Sequence, residues 1–237
     1  MTSTDHPFKD LQVEDNPVLE VSAQEASLRQ DLDAHMRHFN ELPADCDEVE
    51  KARLMVDIAE CHLGLGENLE AHDWATRSFD SLIQNGQWAL AVDACDIIYN
   101  SGQDDSLVAL GNGLWLAVTF PIDPTTSVQM LHHVVDETPD DSDGAAVAAM
   151  LAHYLAETRT DEKDHRNLTF LTSQIVAQVA KRHRGIEDEE TLQTWIKMYQ
   201  LDQIEELLPR MALILDTIVG DQWWYDRDAI RSRLPVN

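Results

Sequence analysis

The sequence predicts an all-α protein, and three observations support that prediction. Glycine and proline are few, 9 and 8 among 237 residues, as is typical of helical proteins, because helices need little turn chemistry. Apolar residues recur at helical spacing along most of the chain, and no segment alternates convincingly with a period of two residues. Proline, glycine or asparagine, the residues that end helices, stand at most of the breaks between the periodic segments.

The chain divides into a short tail and one helical domain. Residues 1–21 lack periodicity and mix acids with isolated apolar residues, so we expect a mobile acidic tail there. Residues 22–237 are predicted to form a single all-α domain of about ten helices. Ser22 and Glu25 have the spacing of a capping box, in which each side chain satisfies a backbone N–H. The first helix is therefore predicted to begin there and to end at Pro43.

The other helices follow from the same punctuation. They are predicted in order at about 46–64, 67–85, 87–101, 104–119, 124–137, 144–157, 161–183, 187–200 and 203–219. Asp123 is predicted to cap the helix that Pro124 opens, and Pro209 either kinks the last helix or begins a new one. The helix at 161–183 is predicted to be the longest, with a buried side formed by Leu168, Leu171, Ile175 and Val179.

Every second helix starts near residues 46, 87, 124 and 161, in steps of 41, 37 and 37 residues. Such a period is typical of stacked helical hairpins. Over residues 52–84, Ala59, Gly66 and Ala71 place a small residue, a glycine turn and a second small residue twelve positions after the first. This segment resembles the core of a tetratricopeptide repeat. The resemblance implies an α-solenoid of antiparallel hairpins that binds another protein; a compact helical bundle is the alternative.

The charge distribution excludes several kinds of partner. The chain carries 44 acidic and 17 basic residues, a net charge of -27. Between Ser78 and Thr158 it has twelve Asp and Glu and no Lys or Arg. Such a surface repels nucleic-acid phosphates and anionic membranes, and it attracts a basic protein. The excess of aspartate and scarcity of lysine equally fit adaptation to a salty cytosol, and both interpretations stay open.

Localisation is predicted to be cytoplasmic. Cys46, Cys61 and Cys95 are an odd number without a pairing motif, which favours free thiols in a reducing compartment. The amino terminus lacks the pattern of a secretory signal. The longest uncharged run, Leu107 to Ile122, is too short to cross a bilayer, so we expect no membrane span.

Histidines raise the question of a metal site. Asp31, His35 and His38 share one face of the first predicted helix, with the spacing of metal ligands. A polar strip against the next helix explains them equally well. Glu162 and His165 have the Glu-x-x-His spacing of di-iron bundles, but the sequence has no second copy. No cofactor is therefore predicted.

The carboxy terminus contains the candidate partner-binding residues. Trp223, Trp224 and Tyr225 are consecutive, and Arg231 follows with two further arginines nearby. Tryptophan, tyrosine and arginine dominate binding hot spots, so these four residues are predicted to contact a partner. The alternative is that the aromatic residues cap the end of the last helix while Arg231 and Arg233 pair with the acidic middle of the chain.

Catalytic signatures are missing from the sequence. It has no nucleophile elbow, and no cysteine lies in an electropositive setting. We therefore expect a non-enzymatic protein-binding module, an adaptor, assembly factor or chaperone, with a basic protein as its client. Two alternatives stay open: a metal-binding or metal-dependent helical enzyme that uses the first-helix histidines, and a maturation chaperone for a redox enzyme. Self-association into a homo-oligomer is also open.

Overall fold

The protein is all-α, as predicted. The structure is a computed structural model, and it describes residues 17–161 and 163–234. This part of the chain contains eleven helices and no strand. They are α1 Pro17–Glu41, α2 Glu48–Gly64, α3 Asn68–Gln84, α4 Trp88–Asn100, α5 Ser106–Thr119, α6 Pro124–Glu137, α7 Asp143–Arg159, α8 His165–Arg184, α9 Glu189–Met198, α10 Ile204–Val219 and α11 Arg227–Arg231.

The amino-terminal prediction was partly wrong. Helix α1 begins at Pro17, so the predicted capping box at Ser22 and Glu25 lies inside the helix and not at its start. Pro17 is the first helical residue, a position that proline tolerates because its missing N–H has no partner there. With 25 residues, α1 also exceeds α8, which has 20 and was predicted to be the longest. Residues 1–16 of the predicted tail lie outside the described part.

Most helix ends match the signals in the sequence. The Asp123 carboxylate accepts the backbone N–H of Thr125 at 2.8 Å and thereby caps α6. Gly66, Gly86 and Gly185 have positive φ angles of 74°, 67° and 65° at the ends of α2, α3 and α8. A left-handed residue of this kind is the usual end of a helix, and glycine adopts it without a steric penalty. Helix α10 continues through Pro209, and α11 was not predicted.

Consecutive helices pack as antiparallel neighbours. The pairs α2–α3, α4–α5 and α6–α7 form hairpins, and α3–α4, α5–α6 and α7–α8 link each hairpin to the next. The first helices of successive hairpins also meet, α2 with α4 and α6 with α8. The described part of the chain is therefore a row of hairpins with α2, α4, α6 and α8 side by side.

Helices α5 and α7 lie at the centre. The residues from Val108 to Ala117 in α5, and from Ala145 to Ala152 in α7, are all buried. A helix that is buried on every side must have neighbours on every side. Helix α10 supplies the additional neighbour, because it packs against both α5 and α7 through Leu207, Met211, Leu215 and Val219. The second helices of these two hairpins consequently lie between the first helices and the carboxy-terminal region.

Candidate partner-binding surface

The carboxy-terminal aromatic residues pack within the protein. We call residues 223–234 the C-terminal strap. Trp224 meets Phe79 of α3 edge to face at a ring distance of 5.1 Å, and Tyr225 lies 5.5 Å from the ring of Trp115 in α5. Trp223 is covered by the guanidinium of Arg227 at 3.9 Å. The strap thus joins the first two hairpins, and its three aromatic residues are each partly buried.

A buried asparagine fixes the strap. Asn112 in α5 has no exposed surface. Its side-chain oxygen accepts the backbone N–H of Trp224 at 3.1 Å, and its carbonyl oxygen accepts the Tyr225 hydroxyl at 2.6 Å. The Asn112 amide in turn donates to the Val108 carbonyl at 2.9 Å. Buried polar groups need such partners, so the strap and α5 satisfy each other.

The glycines beside Asn112 explain why this helix can be so crowded. A Cβ added to Gly111 would lie 2.3 Å from Val219 of α10. One added to Gly113 would lie 2.5 Å from the Cβ of Cys95 in α4. Glycine at these two positions lets α5 approach both neighbours more closely than any residue with a side chain.

The terminal arginines contact the middle of the chain through backbone carbonyls and an aromatic ring, and neither forms an ion pair with one of its described carboxylates. Arg233 donates to the carbonyls of Ile83 and Gln84 at the end of α3, at 3.2 and 3.4 Å. Arg231 lies over the Trp115 ring at 5.6 Å and pairs with Asp228 at 3.6 Å. Cations at helix carboxyl ends compensate the negative end of the helix dipole. All four predicted partner-binding residues, Trp223, Trp224, Tyr225 and Arg231, therefore have contacts within the chain.

The histidines of α1 do not assemble a metal site with their neighbours. Asp31 and His38 are exposed, His35 is partly buried, and His38 lies 4.0 Å from Glu50 of α2. No group of three or more His, Cys, Asp or Glu side chains could hold a metal ion within the described ranges. Of the Glu-x-x-His pair, Glu162 lies outside the described residues. The Nδ1 atom of His165 is hydrogen-bonded to the Thr160 hydroxyl at 2.9 Å.

Two of the three thiols are buried, those of Cys61 and Cys95, and Cys46 is partly exposed. Burial raises the pKa of Cys95 well above its ordinary value, and the neighbouring carboxylates of Asp96 and Asp93 raise it further. Burial also raises the pKa of Cys61, helped by the charges of Asp31 and Glu60. Both cysteines are buried, and a reactive thiolate needs the opposite environment, electropositive and accessible.

Acidic residues of α2 and α4, with the residue that caps α6, form a surface that we call the acidic face: Glu60, Asp93, Asp96 and Asp123. Asp96 accepts hydrogen bonds from Gln129 at 3.0 Å and pairs with His133 at 2.9 Å. No Lys or Arg makes an ion pair with any of the four carboxylates in residues 17–161 and 163–234. Arg159, the first Lys or Arg after Asp123 along the chain, donates instead to the carbonyls of Ala117, Val118 and Phe120.

The carboxyl group of Asp93 lies where a negative charge is unfavourable. Burial raises its pKa from the ordinary 3.8 to about 6, and the charges of Asp96, Glu60 and Asp123 add to the effect. A group shifted in this way interacts unfavourably with its surroundings whenever it is ionised. The acidic face therefore favours the approach of a positive charge.

An apolar groove adjoins the acidic face. It lies between α6 and α8, has a volume of about 290 Å³, and is lined by Thr125, Val128, Gln129, His132, Leu168, Leu171 and Ile175. Leu171 was predicted to be buried, but half of its surface is exposed, whereas Leu168, Ile175 and Val179 are buried. Its neighbour Phe170 is 66% exposed. The helical period identified an apolar face on α8 that the described residues cover incompletely.

Among the described residues, no helix combines the length and apolar character that crossing a membrane requires. Comparison of the chain with models of protein families, with curated proteins and with solved structures finds no match.

Proposed function

We propose that this chain is a non-enzymatic protein-binding module, an adaptor, assembly factor or chaperone, whose client docks on the face formed by α2, α4, α6 and α8. The observation that carries the proposal is the acidic face itself. Burial, together with the charges of Asp96, Glu60 and Asp123, raises the pKa of Asp93 to about 6, and none of these four carboxylates pairs with a Lys or Arg of the described residues. A basic protein surface would relieve that repulsion and would be steered to the face by its charge.

The architecture supports the choice of this face. Helix α10 packs on α5 and α7, and the strap packs on α3 and α5, so the carboxy-terminal region occupies the side of the second helices. The exposed apolar residues Phe170 and Leu171 lie on α8, one of the first helices. A stacked row of hairpins, including the segment 52–84 that resembles a tetratricopeptide repeat, is a common scaffold for binding proteins.

The predicted site at the carboxy terminus becomes a structural element under this proposal. Trp223, Trp224 and Tyr225 would hold the strap on the hairpins instead of contacting the client. Arg231 and Arg233 would contribute through the Trp115 ring and the end of α3. The client is then selected by carboxylates and not by an aromatic anchor.

Site-specific photo-cross-linking in the native host tests the proposal. A photoreactive phenylalanine analogue replaces Glu60 or Thr125 on the proposed face, and Leu213 on α10 or Trp223 in the strap as matched positions. We expect protein adducts from positions 60 and 125 and none from position 213. Repeating the cross-linking in high salt should reduce the number of adducts. Adducts from Trp223 alone, or none at all, would overturn the proposal.

A further inference from the structure

The apolar groove and the acidic face are one continuous surface. Gln129 lines the groove and donates to Asp96 at 3.0 Å. Thr125 also lines the groove, and its backbone N–H donates to Asp123 at 2.8 Å. Two acids of the face are thus hydrogen-bonded to two residues of the groove wall. A ligand that fills the groove has carboxylates beside it along the α6 edge.

The size of the groove suits side chains better than a whole small molecule. Its 290 Å³ falls just below the range typical of small-molecule sites, about 300–1,000 Å³. Its walls are two helices, α6 and α8, that lie side by side. Val128, Leu168 and Ile175 form its buried floor, and Leu171 stands half exposed at its edge. Such a groove accepts the apolar side chains of an extended or helical segment.

We infer that the groove between α6 and α8 receives an amphipathic helix of the client, with apolar side chains in the groove and Lys or Arg residues against the acidic face. This inference rests on the proposed function and specifies the chemistry of the client. An amphipathic helix presents its apolar residues at i, i+3, i+4 and i+7, so a groove between two helices can take several of them together.

Two other occupants of the groove are conceivable, a second copy of the chain and the chain's own amino-terminal segment. Charge complementarity favours the client helix over both. A second copy of the chain would bring its own net charge of -27 to the acidic face. The amino-terminal segment is also acidic, with Asp5, Asp10, Glu14 and Asp15 against a single lysine. Like charges repel, so both occupants would be disfavoured where a cationic helix is attracted.

Fluorescence anisotropy with a synthetic peptide tests the inference. The probe is a labelled peptide of about 18 residues with leucine at helical spacing and lysine elsewhere, long enough to form several helical turns. A scrambled peptide of the same composition serves as the control for charge alone. The binding protein is the full chain, either unchanged or with Leu171→Gln. The matched variant is Leu213→Gln, which changes an exposed leucine of α10 that is 68% exposed.

We expect Leu171→Gln to weaken binding of the amphipathic peptide about tenfold, while Leu213→Gln leaves it unchanged. We also expect the scrambled peptide to bind more weakly than the amphipathic one to the unchanged chain. Equal binding of the two peptides, or equal effects of the two substitutions, would overturn the inference. So would a dimer in sedimentation analysis that Leu171→Gln converts to a monomer, because the groove would then be an interface between copies.

Failure of the inference is distinguishable from failure of the proposed function. Suppose that Glu60 and Thr125 cross-link to a client, but the amphipathic and scrambled peptides bind equally well. This result would retain the docking face and reject the amphipathic helix. Missing cross-links at both positions would reject the face itself.

Discussion

Replacement of Asp93 by asparagine should stabilise the protein, which is unusual for a substitution in a packed helix. Asp93 lies in α4, partly buried, and faces the carboxylates of Asp96, Glu60 and Asp123. Burial and these charges raise its pKa from 3.8 to about 6. Asparagine has nearly the same shape and carries no charge, so the substitution removes the repulsion and leaves the packing in place.

The size of the effect follows from the pKa. Because the folded state holds the proton of Asp93 more tightly than the unfolded state does, ionisation of this group costs stability as pH rises through the interval from 3.8 to 6. The upper limit of the cost is about 3 kcal/mol at pH 8, and it falls to about half of that at pH 5. Solvent that reaches the partly buried carboxylate lowers both values.

Urea unfolding at pH 8 and pH 5 measures the gain. The control is Asp80→Asn, an exposed position inside α3. We expect Asp93→Asn to raise the free energy of unfolding by about 1–3 kcal/mol at pH 8, less at pH 5, while Asp80→Asn changes it by less than about 0.5 kcal/mol at either pH. A gain from Asp93→Asn that does not depend on pH, or that equals the gain from Asp80→Asn, would refute the reasoning.

Two further substitutions test the packing of α5. Gly113→Ala should lower the free energy of unfolding by about 1–3 kcal/mol, because the new Cβ would lie 2.5 Å from that of Cys95. Urea unfolding measures the loss, and Gly144→Ala is the control, since its new Cβ would lie 3.3 Å from the nearest atom. A stabilising Gly113→Ala would contradict the close approach. Tyr225→Phe removes the hydroxyl that donates to Asn112 and should cost about 1 kcal/mol by the same measurement. The exposed Tyr154→Phe is its control, and equal losses would mean that the strap bond contributes nothing.

Much of the fold could be predicted from the sequence because its signals are local. Asp123 before Pro124, and the glycines at 66, 86 and 185, mark helix ends through the conformations that these residue types prefer. The predicted start of α1 was wrong because the capping box at Ser22 is also only a local signal, and the helix extends past it to Pro17. Helix α11 is five residues long, too short for any periodic pattern.

The candidate surface was harder to predict because it depends on which helices meet. The aromatic run at 223–225 looks like an exposed anchor until Phe79, Asn112 and Trp115 are known to lie against it. Those contacts join residues more than a hundred positions apart. The groove gave one signal in the sequence, Leu171, whose helical spacing predicted burial. The incomplete burial of that residue required the structure, because it depends on the gap between α6 and α8.

The composition alone indicated an acidic surface. The run of 81 residues without Lys or Arg, which contains Asp93, Asp96 and Asp123, offers its carboxylates no basic partner nearby in the sequence. The negative charge is concentrated around Asp93 because α2, α4 and α6 lie in a row, which brings Glu60, Asp96 and Asp123 close to that residue.

Hydrogen–deuterium exchange with the bound client tests the central claim most directly. The client identified by cross-linking is added to the full chain, and amide protection is compared along the sequence. We predict added protection in α4, α6 and α8, strongest in the residues around Gln129 and Leu171, and unchanged exchange in the strap around Trp224. Protection confined to residues 223–234, with α6 and α8 unaffected, would contradict the account.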